Sequence, residues 1–359
     1  MKSVSVLCLY VIFILAAVLC PLTGSSVDSF SDIQTKDTAC EQPIYPHEEG
    51  MTCPSGDYSL HTIKRLTDFG ERPVWSPDGK KLAFVEKEFG DIYEYDLESG
   101  ETECITCAFD HEGFLRVHYM KDGDYLLLGP KKRSSDFVDR VFDTGFYWMP
   151  ADRSLPPRWV GERHFEGVAV SRESREIAYT RTWLDHPFTI STMYVAGVTT
   201  RGEIVNRRAV YRSAHIIEAQ DFLPGDSGII FARYTPTYEV YGVDLDTGKG
   251  TNYSKSPASE EPEGIFPDGS FTLMESDRHV HEPGDFDIDI YMLRLDGTGE
   301  DARRLTYFSD TPGEKATNPA VSPEGCRIAF MKAKKADDWQ KLTGAGLGIY
   351  LLEFYECEE

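Results

Sequence analysis

Positive charge is scarce in this chain. Lys and Arg total 37 against 60 Asp and Glu in 359 residues, a formal net charge of −23. Nucleic acid needs Lys and Arg to neutralise its phosphates, so a nucleic-acid role is excluded, and anionic membrane surfaces are disfavoured. The acidity suits cationic partners or metal ions, and it also keeps an exported protein soluble. A Gly-x-Ser-x-Gly elbow is missing, as is a tail of alternating strands and helices, so no α/β-hydrolase domain is appended. Beyond the first residues, no stretch is apolar enough to cross a bilayer.

What is present begins with "MKSVSVLCLYVIFILAAVLCPLTGSS". Lys2, an apolar run from Val4 to Cys20 and then small and polar residues read as a secretory signal cut near Gly24 to Ser26, with a signal anchor as the rival reading. The expected organisation is a signal peptide over 1–25, an N-terminal arm over 26–57 and a single domain over 58–359. The expected location is extracellular and the expected state monomeric. Of the 8 cysteines, Cys8 and Cys20 leave with the signal. Cys40, Cys53, Cys104, Cys107, Cys326 and Cys357 remain as disulfide candidates in an oxidising compartment. Cys40–Cys53 would tie down the arm and Cys326–Cys357 would clip the chain end. Cys104-Ile105-Thr106-Cys107 has redox spacing without a βαβ setting, which favours a structural loop over an active dithiol. Asn252 in "NYS" is a candidate glycan site in such a compartment.

Turn-and-strand units recur along the rest of the chain. "VWSPDGKKLAFV" from Val74 sets the template: a short apolar strand, a Pro-Asp-Gly turn and a second apolar strand. "HYMKDGDYLLLG", "AVSRESREIAYT", "DFLPGDSGIIFA", "GIFPDGSFTLME" and "AVSPEGCRIAFM" follow, each succeeded by a third strand such as "DIYEYDL" or "GIYLLEF". Units of this size and content are blades of an all-β, six-bladed β-propeller. "YSLHTIKRLT" at Tyr58 to Thr67 resembles an outer strand, and the spacing predicts that it completes the last blade and hides a sheet edge.

The segments "RPVWSPDGKKLAF", "DIDIYMLRLDGTGEDARRLT" and "NPAVSPEGCRIAF" resemble the TolB-like β-propeller repeat, and the resemblance runs from about Tyr58 to Glu356. It implies the fold. Propellers of this kind include the periplasmic partner of a peptidoglycan-associated lipoprotein, the propellers of prolyl oligopeptidase relatives and polysaccharide-cleaving propellers, so it implies no single activity.

Several motifs dissolve into turn chemistry. "GDSG" at Gly225 to Gly228 lies at a hairpin rather than in a protease, and "DLDTGKG" and "LDGTGED" lack the bidentate Glu of a calcium loop. Position is more informative. Loops entering each inner strand and loops joining second to third strands open on one face. His111, His164, His186, His215, His279 and His281 map to those loops, with Trp183 and Trp339. Glu71, Glu166, Glu218 and Glu261 occupy one aligned position at the start of the inner strands, filled by Leu115 and Thr317 in the other blades. Imidazoles and carboxylates on one mouth could hold a divalent metal, His279 and His281 being the first choice for ligands. They could also serve as general acid and base.

Three functions are compatible with this pattern. The leading one is a non-enzymatic binding propeller that engages a protein, glycan or cation through the His- and Glu-rich face, and the reading leans away from an enzyme. The second is a metal-assisted carbohydrate-active enzyme, a polysaccharide lyase or hydrolase. The third is an acidic, calcium-holding extracellular matrix component.

Overall fold

The computed structural model describes residues 61–135, 139–183, 190–234, 237–280, 287–335 and 346–354. The arm, the chain end and several loop segments lie outside them, and with them Cys40, Cys53, Cys357, His186, His281 and Trp339. Twenty-four strands form six four-stranded antiparallel sheets. The first blade runs β2 (Glu71–Trp75), β3 (Lys81–Val85), β4 (Ile92–Asp96) and β5 (Thr102–Cys104), innermost to outermost. The inner strands of the next blades are β6 (Arg116–Tyr119), β10 (Phe165–Val170), β14 (Ile216–Phe222), β18 (Glu260–Ile265) and β22 (Glu314–Val321). The protein is a six-bladed β-propeller, as the repeat predicts. No helix among the described residues is long and apolar enough to cross a membrane.

The Pro-Asp-Gly turns work as their chemistry requires. Ser76 Oγ donates to Asp78 Oδ1 at 2.7 Å, Gly79 N donates to Ser76 O at 2.9 Å, and Gly79 takes φ 68°. "GDSG" is likewise a turn, with Ser227 Oγ donating to Pro224 O at 2.8 Å.

Closure follows the expected route. β1 (His61–Arg65) pairs antiparallel with β24 (Gly346–Phe354), from His61↔Phe354 to Arg65↔Tyr350. Trp75 Nε1 in the first blade donates to Ala320 O in the sixth at 2.9 Å, and Arg327 covers the Trp75 ring at 4.6 Å. The core is a set of seams between blades. Leu82 and Phe84 meet Met331, Ile349 and Leu351 in one seam, and Leu273 and Met292 meet Ile328, Phe330 and Leu352 in another. Each such large side chain contributes about 1.5–3 kcal/mol on burial, and no single seam dominates.

Five inner strands break register. The shifts lie between Glu71 and Val74, Phe165 and Val168, Ala219 and Asp221, Pro262 and Gly264, and Thr317 and Ala320. A bulge re-aims the side chain it carries. Arg72, Glu166 and Asn318 adopt positive φ there, at 53°, 27° and 49°. Such strain persists in non-glycine residues only where the surroundings hold it. The bulges carry two of the channel's charged residues, Arg72 and Glu166.

Cys104 and Cys107 form a disulfide, so this pair is a closed loop. Cys326 is also disulfide-bonded.

A buried arginine and glutamate layer in the channel

The aligned glutamates enter the channel and meet arginines that the motif reading did not single out. Arg116, at the start of β6, is almost fully buried. Its Nη2 lies 3.5 Å from Glu218 Oε1 and 3.7 Å from Glu166 Oε1, and its Nη1 lies 3.9 Å from Glu263 Oε2. Arg72, raised by the first bulge, pairs with Glu71 at 2.9 Å. Arg140 comes from the second-to-third loop of the second blade. There Asp139 accepts from Arg133 Nε at 2.8 Å and from Ser134 Oγ at 2.8 Å, while Thr144 Oγ1 donates to Asp139 O at 2.8 Å. The loop so clamped sends Arg140 inward to hydrogen-bond Glu166 and to reach Glu88 at 3.1 Å.

Two neighbouring carboxyls are driven apart. Burial opposes ionisation of Glu166, but Arg140, Arg116 and Arg72 outweigh it and lower its pKa to about 2. Burial and then repulsion from Glu166 raise Glu218 to about 7, against Arg116 and the Tyr234 hydroxyl. Tyr234 Oη donates to Glu218 Oε2 at 2.5 Å, and Glu218 Oε1 accepts no hydrogen bond. Glu261 and Glu263 are held well above the ordinary range, first by burial and then by other glutamates. A pair of carboxyls split by their surroundings, one ionised and one titrating near neutrality, is the arrangement from which acid–base roles are built. Beside this layer lies a cavity of about 50 Å³ lined by Arg72, Arg116, His118, Gln220, Glu263 and Asn318, among others.

Gly167 makes the approach possible. A Cβ there would stand 2.4 Å from Glu218 Oε1 and 2.6 Å from Glu218 Cγ. Only glycine leaves room for the neighbouring blade's carboxylate.

The four candidate histidines among the described residues are each held by different neighbours. His164 is buried, stacked on Phe146 at 4.2 Å, with a pKa lowered to about 3, first by burial. His111 bonds Asp91 at 2.9 Å, between the first and second blades. His215 is half-buried, and burial lowers its pKa. His279 bonds Tyr291 at 3.1 Å and Ser309 at 2.8 Å, contacts that keep it at the outer part of the fifth blade. Trp183 is exposed and flanked by Arg181. Asn252 is half-buried, and its amide nitrogen donates to Glu239 at 2.8 Å.

A metal would need open donors. Among the described residues, two groups bring three suitable ligand atoms within 4.8 Å of one another: Asp91 with Cys104 and Cys107, and His279 with Asp289 and Asp310. The two sulfurs of the first are spent in the disulfide. In the second, Arg304 Nη2 donates to Asp289 and Asp310 at 2.6 Å each and already supplies the cation. These two donor sets therefore do not fit a divalent ion.

Arg116, Arg140, Glu263 and Tyr234 were the residues that motif reading missed. The bulge that raises Arg72 had a signal: Pro73, Pro262 and Pro319 sit in inner strands, and proline in a strand marks an edge or a bulge.

No known family profile matches the chain. A stretch of 82 residues, 22% of the chain, is 33% identical to the pentonolactonase XacC of Haloferax volcanii and spans 27% of that protein. Among solved structures, the chain is similar to regucalcin, a calcium-binding protein of Agrobacterium tumefaciens, at 14% identity over 83% of this chain and 95% of that one, with a TM-score of 0.54. It is similar to a gluconolactonase of Xanthomonas campestris at 13% identity over 82% and 89%, with a TM-score of 0.53. TolB of Acinetobacter baumannii is a further neighbour, at 12% identity over 85% and 66%, with a TM-score of 0.49. The six-bladed propeller architecture therefore stands. The expected non-enzymatic binding propeller does not. The relative and these neighbours point to enzymatic or calcium-binding propellers, and the channel holds titratable groups under electrostatic stress where a docking face would be open and apolar.

Proposed function

We propose that the chain is a carbohydrate-active hydrolase that opens sugar-derived lactones, with Glu218 as its general base. The observation that carries the proposal is the split pair, Glu166 lowered to about 2 and Glu218 raised to about 7, astride one guanidinium nitrogen of Arg116. The lactone class comes from the 82-residue match to a pentonolactonase.

Each group has a role. The Glu218 carboxylate takes a proton from water as the water oxygen attacks the lactone carbonyl. Charge that develops on the carbonyl oxygen is met by Arg116. Collapse of the tetrahedral species breaks the ring C–O bond, and protonated Glu218 returns its proton to the leaving alkoxide, so the products are the free hydroxy acid and unchanged enzyme. The cavity of about 50 Å³ beside the layer is too small for a sugar and large enough for a few waters. In this scheme it supplies the water, and the lactone enters from the mouth past Arg140. Export through the segment Val4 to Cys20 belongs to the same proposal and places the enzyme outside the cytoplasm.

Proton release from pentono- and gluconolactone, followed with a pH indicator, tests the reading. Acceleration over buffer that disappears in Glu218→Gln, with folding retained, supports it. A wild-type protein that opens neither lactone faster than buffer rejects it.

A further inference from the structure

Cys104 and Cys107 close their disulfide at the outer edge of the first blade, away from the channel layer. Cys104 ends β5 opposite Tyr93 of β4, and Ile105 and Thr106 separate it from the exposed Cys107. The loop has supports besides the disulfide. Ile105 N donates to Ile92 O at 2.9 Å, Phe109 N donates to Thr106 O at 2.9 Å, and Thr106 Oγ1 donates to Asp91 Oδ1 at 2.8 Å. These bonds bring Asp91 beside the pair: one of its carboxylate oxygens and both Sγ atoms lie within 4.8 Å of one another.

Asp91 is held as a ligand would be. Gly113 N donates to His111 Nδ1 at 2.9 Å, so the ring proton sits on Nε2 and goes to Asp91 Oδ1 at 2.9 Å. Thr106 and His111 both donate to Oδ1, and among the described residues Oδ2 accepts no hydrogen bond. A carboxylate anchored through one oxygen and open at the other is oriented for a metal. The sulfurs have donors too. Cys107 N donates to Cys104 Sγ at 3.1 Å, and the Tyr93 hydroxyl lies 3.8 Å from Cys107 Sγ. Both contacts would stabilise thiolates.

We propose that Cys104, Cys107 and Asp91 form a surface site for one thiophilic divalent cation, such as zinc or cadmium, which the disulfide closes and reduction opens. With the disulfide intact the sulfurs are not ligands. A dithiol restores them. One of its thiolates attacks the exposed Cys107 Sγ, the S–S bond breaks and Cys104 leaves. The second thiolate of the reductant then displaces Cys107 from the mixed disulfide. The reductant departs as its own disulfide, and the two electrons it gives up remain on Cys104 and Cys107, which take two protons as thiols. The cation displaces those protons to water as it binds. Two sulfurs on a tetrahedral zinc stand about 3.8 Å apart, and Cα atoms 5.8 Å apart let side-chain rotation supply that spacing. Two thiolates with one carboxylate are too soft a set for magnesium or calcium. Cys107 is exposed, so water fills the fourth position. Bound metal and disulfide exclude each other, and the metal therefore protects the thiols from oxidation. The site needs neither Glu218 nor Arg116 and is independent of the proposed lactone hydrolysis.

The test titrates cadmium into the full chain, either oxidised or reduced with a phosphine, and follows sulfur-to-cadmium charge-transfer absorption in the ultraviolet. The control is a Cys104→Ser, Cys107→Ser double variant, which keeps every other cysteine. The expected result is one cadmium more per reduced wild-type chain than per reduced double variant, with no such difference between the oxidised forms. Excess zinc should compete for that ion and calcium should not. His111→Gln should keep the stoichiometry and weaken the affinity about tenfold, as loss of a group that orients a ligand does, and Asp91→Asn should weaken it further. Equal uptake by the reduced wild type and the reduced double variant overturns the proposal, as does unchanged affinity in Asp91→Asn. If Asp91→Asn does not fold, the wild type, the double variant and His111→Gln decide the matter. None of these results depends on lactone turnover.

Discussion

Tyr234 Oη donates a hydrogen bond of 2.5 Å to Glu218 Oε2, and the same hydroxyl lies 3.3 Å from Glu261 Oε1. A donor aimed at a carboxylate favours the ionised form. The phenol therefore moderates the rise that burial and Glu166 impose on Glu218. The proposed base is set by opposing effects in which burial and Glu166 outweigh Arg116 and the phenol, and removing any one of them should move it.

Tyr234→Phe removes one lowering influence and leaves those of Arg116 and Arg140 in place. The rising limb of kcat/KM against pH, set near 7 by Glu218 in the wild type, should move to higher pH by about one unit. Activity at pH 6 should fall more than activity at pH 9. A limb that stays in place or moves down would separate Glu218 from the observed titration.

Glu218→Gln and Glu166→Gln should act in opposite directions on stability. Glu218 has a folded pKa raised to about 7, so its contribution to stability is present at acid pH and lost as pH rises through 7. Replacing it by a neutral amide should raise stability at pH 8 by about 1–3 kcal/mol while abolishing turnover. Glu166 is lowered to about 2, so its contribution is present at neutral pH and lost as pH falls toward 2. Its amide should cost a similar amount at pH 8, less at pH 3 and little only below pH 2. Urea melts at pH 3, 6 and 8 read both.

Arg116→Met should be far more damaging than a surface change. It leaves Glu166, Glu218 and Glu263 facing one another without the cation between them. Loss of one partner from a buried charge network costs about 3–5 kcal/mol. Part of that loss should be recovered in the double variant with Glu218→Gln, because one of the stranded charges is then gone.

These residues also show what the sequence made legible. The fold was readable because each blade repeats its own turn chemistry, from Ser76-Pro77-Asp78-Gly79 to Ser322-Pro323-Glu324-Gly325, and local signals that agree with one another specify one architecture. The aligned Glu71, Glu166, Glu218 and Glu261 could be placed at the channel because a strand fixes which face a residue presents. The histidines are less legible for a related reason. Membership of a loop fixes the end of the propeller but not the distance from its axis, so the sequence assigns His279 to a face without revealing its hydrogen bonds to Tyr291 and Ser309. The arginines stayed hidden because Arg72 depends on a bulge and Arg140 on a clamped loop, both outside the regular repeat.

His279→Ala is therefore expected to leave lactone turnover within about twofold of wild type. Its hydrogen bonds to Tyr291 and Ser309 should appear instead as a loss of about 1 kcal/mol in stability. A collapse of activity without a loss of stability would return the histidine face to the reaction.

Gly167→Ala tests the geometry of the layer without altering its charge. The added methyl would lie 2.4 Å from Glu218 Oε1 and 2.9 Å from Ala219 O. A side chain can swing away but the Ala219 carbonyl is backbone, so both the fourth blade and the Glu218 carboxylate must shift. Overpacking of this kind costs about 1–3 kcal/mol. The activity loss should exceed the stability loss, because Glu218 is pushed off Arg116 and Tyr234 together. In a Glu218→Gln background the same substitution should cause no further fall in turnover while still lowering the melting temperature. If Gly167 acted only as a packing residue, activity of the single variant would fall no further than its stability does.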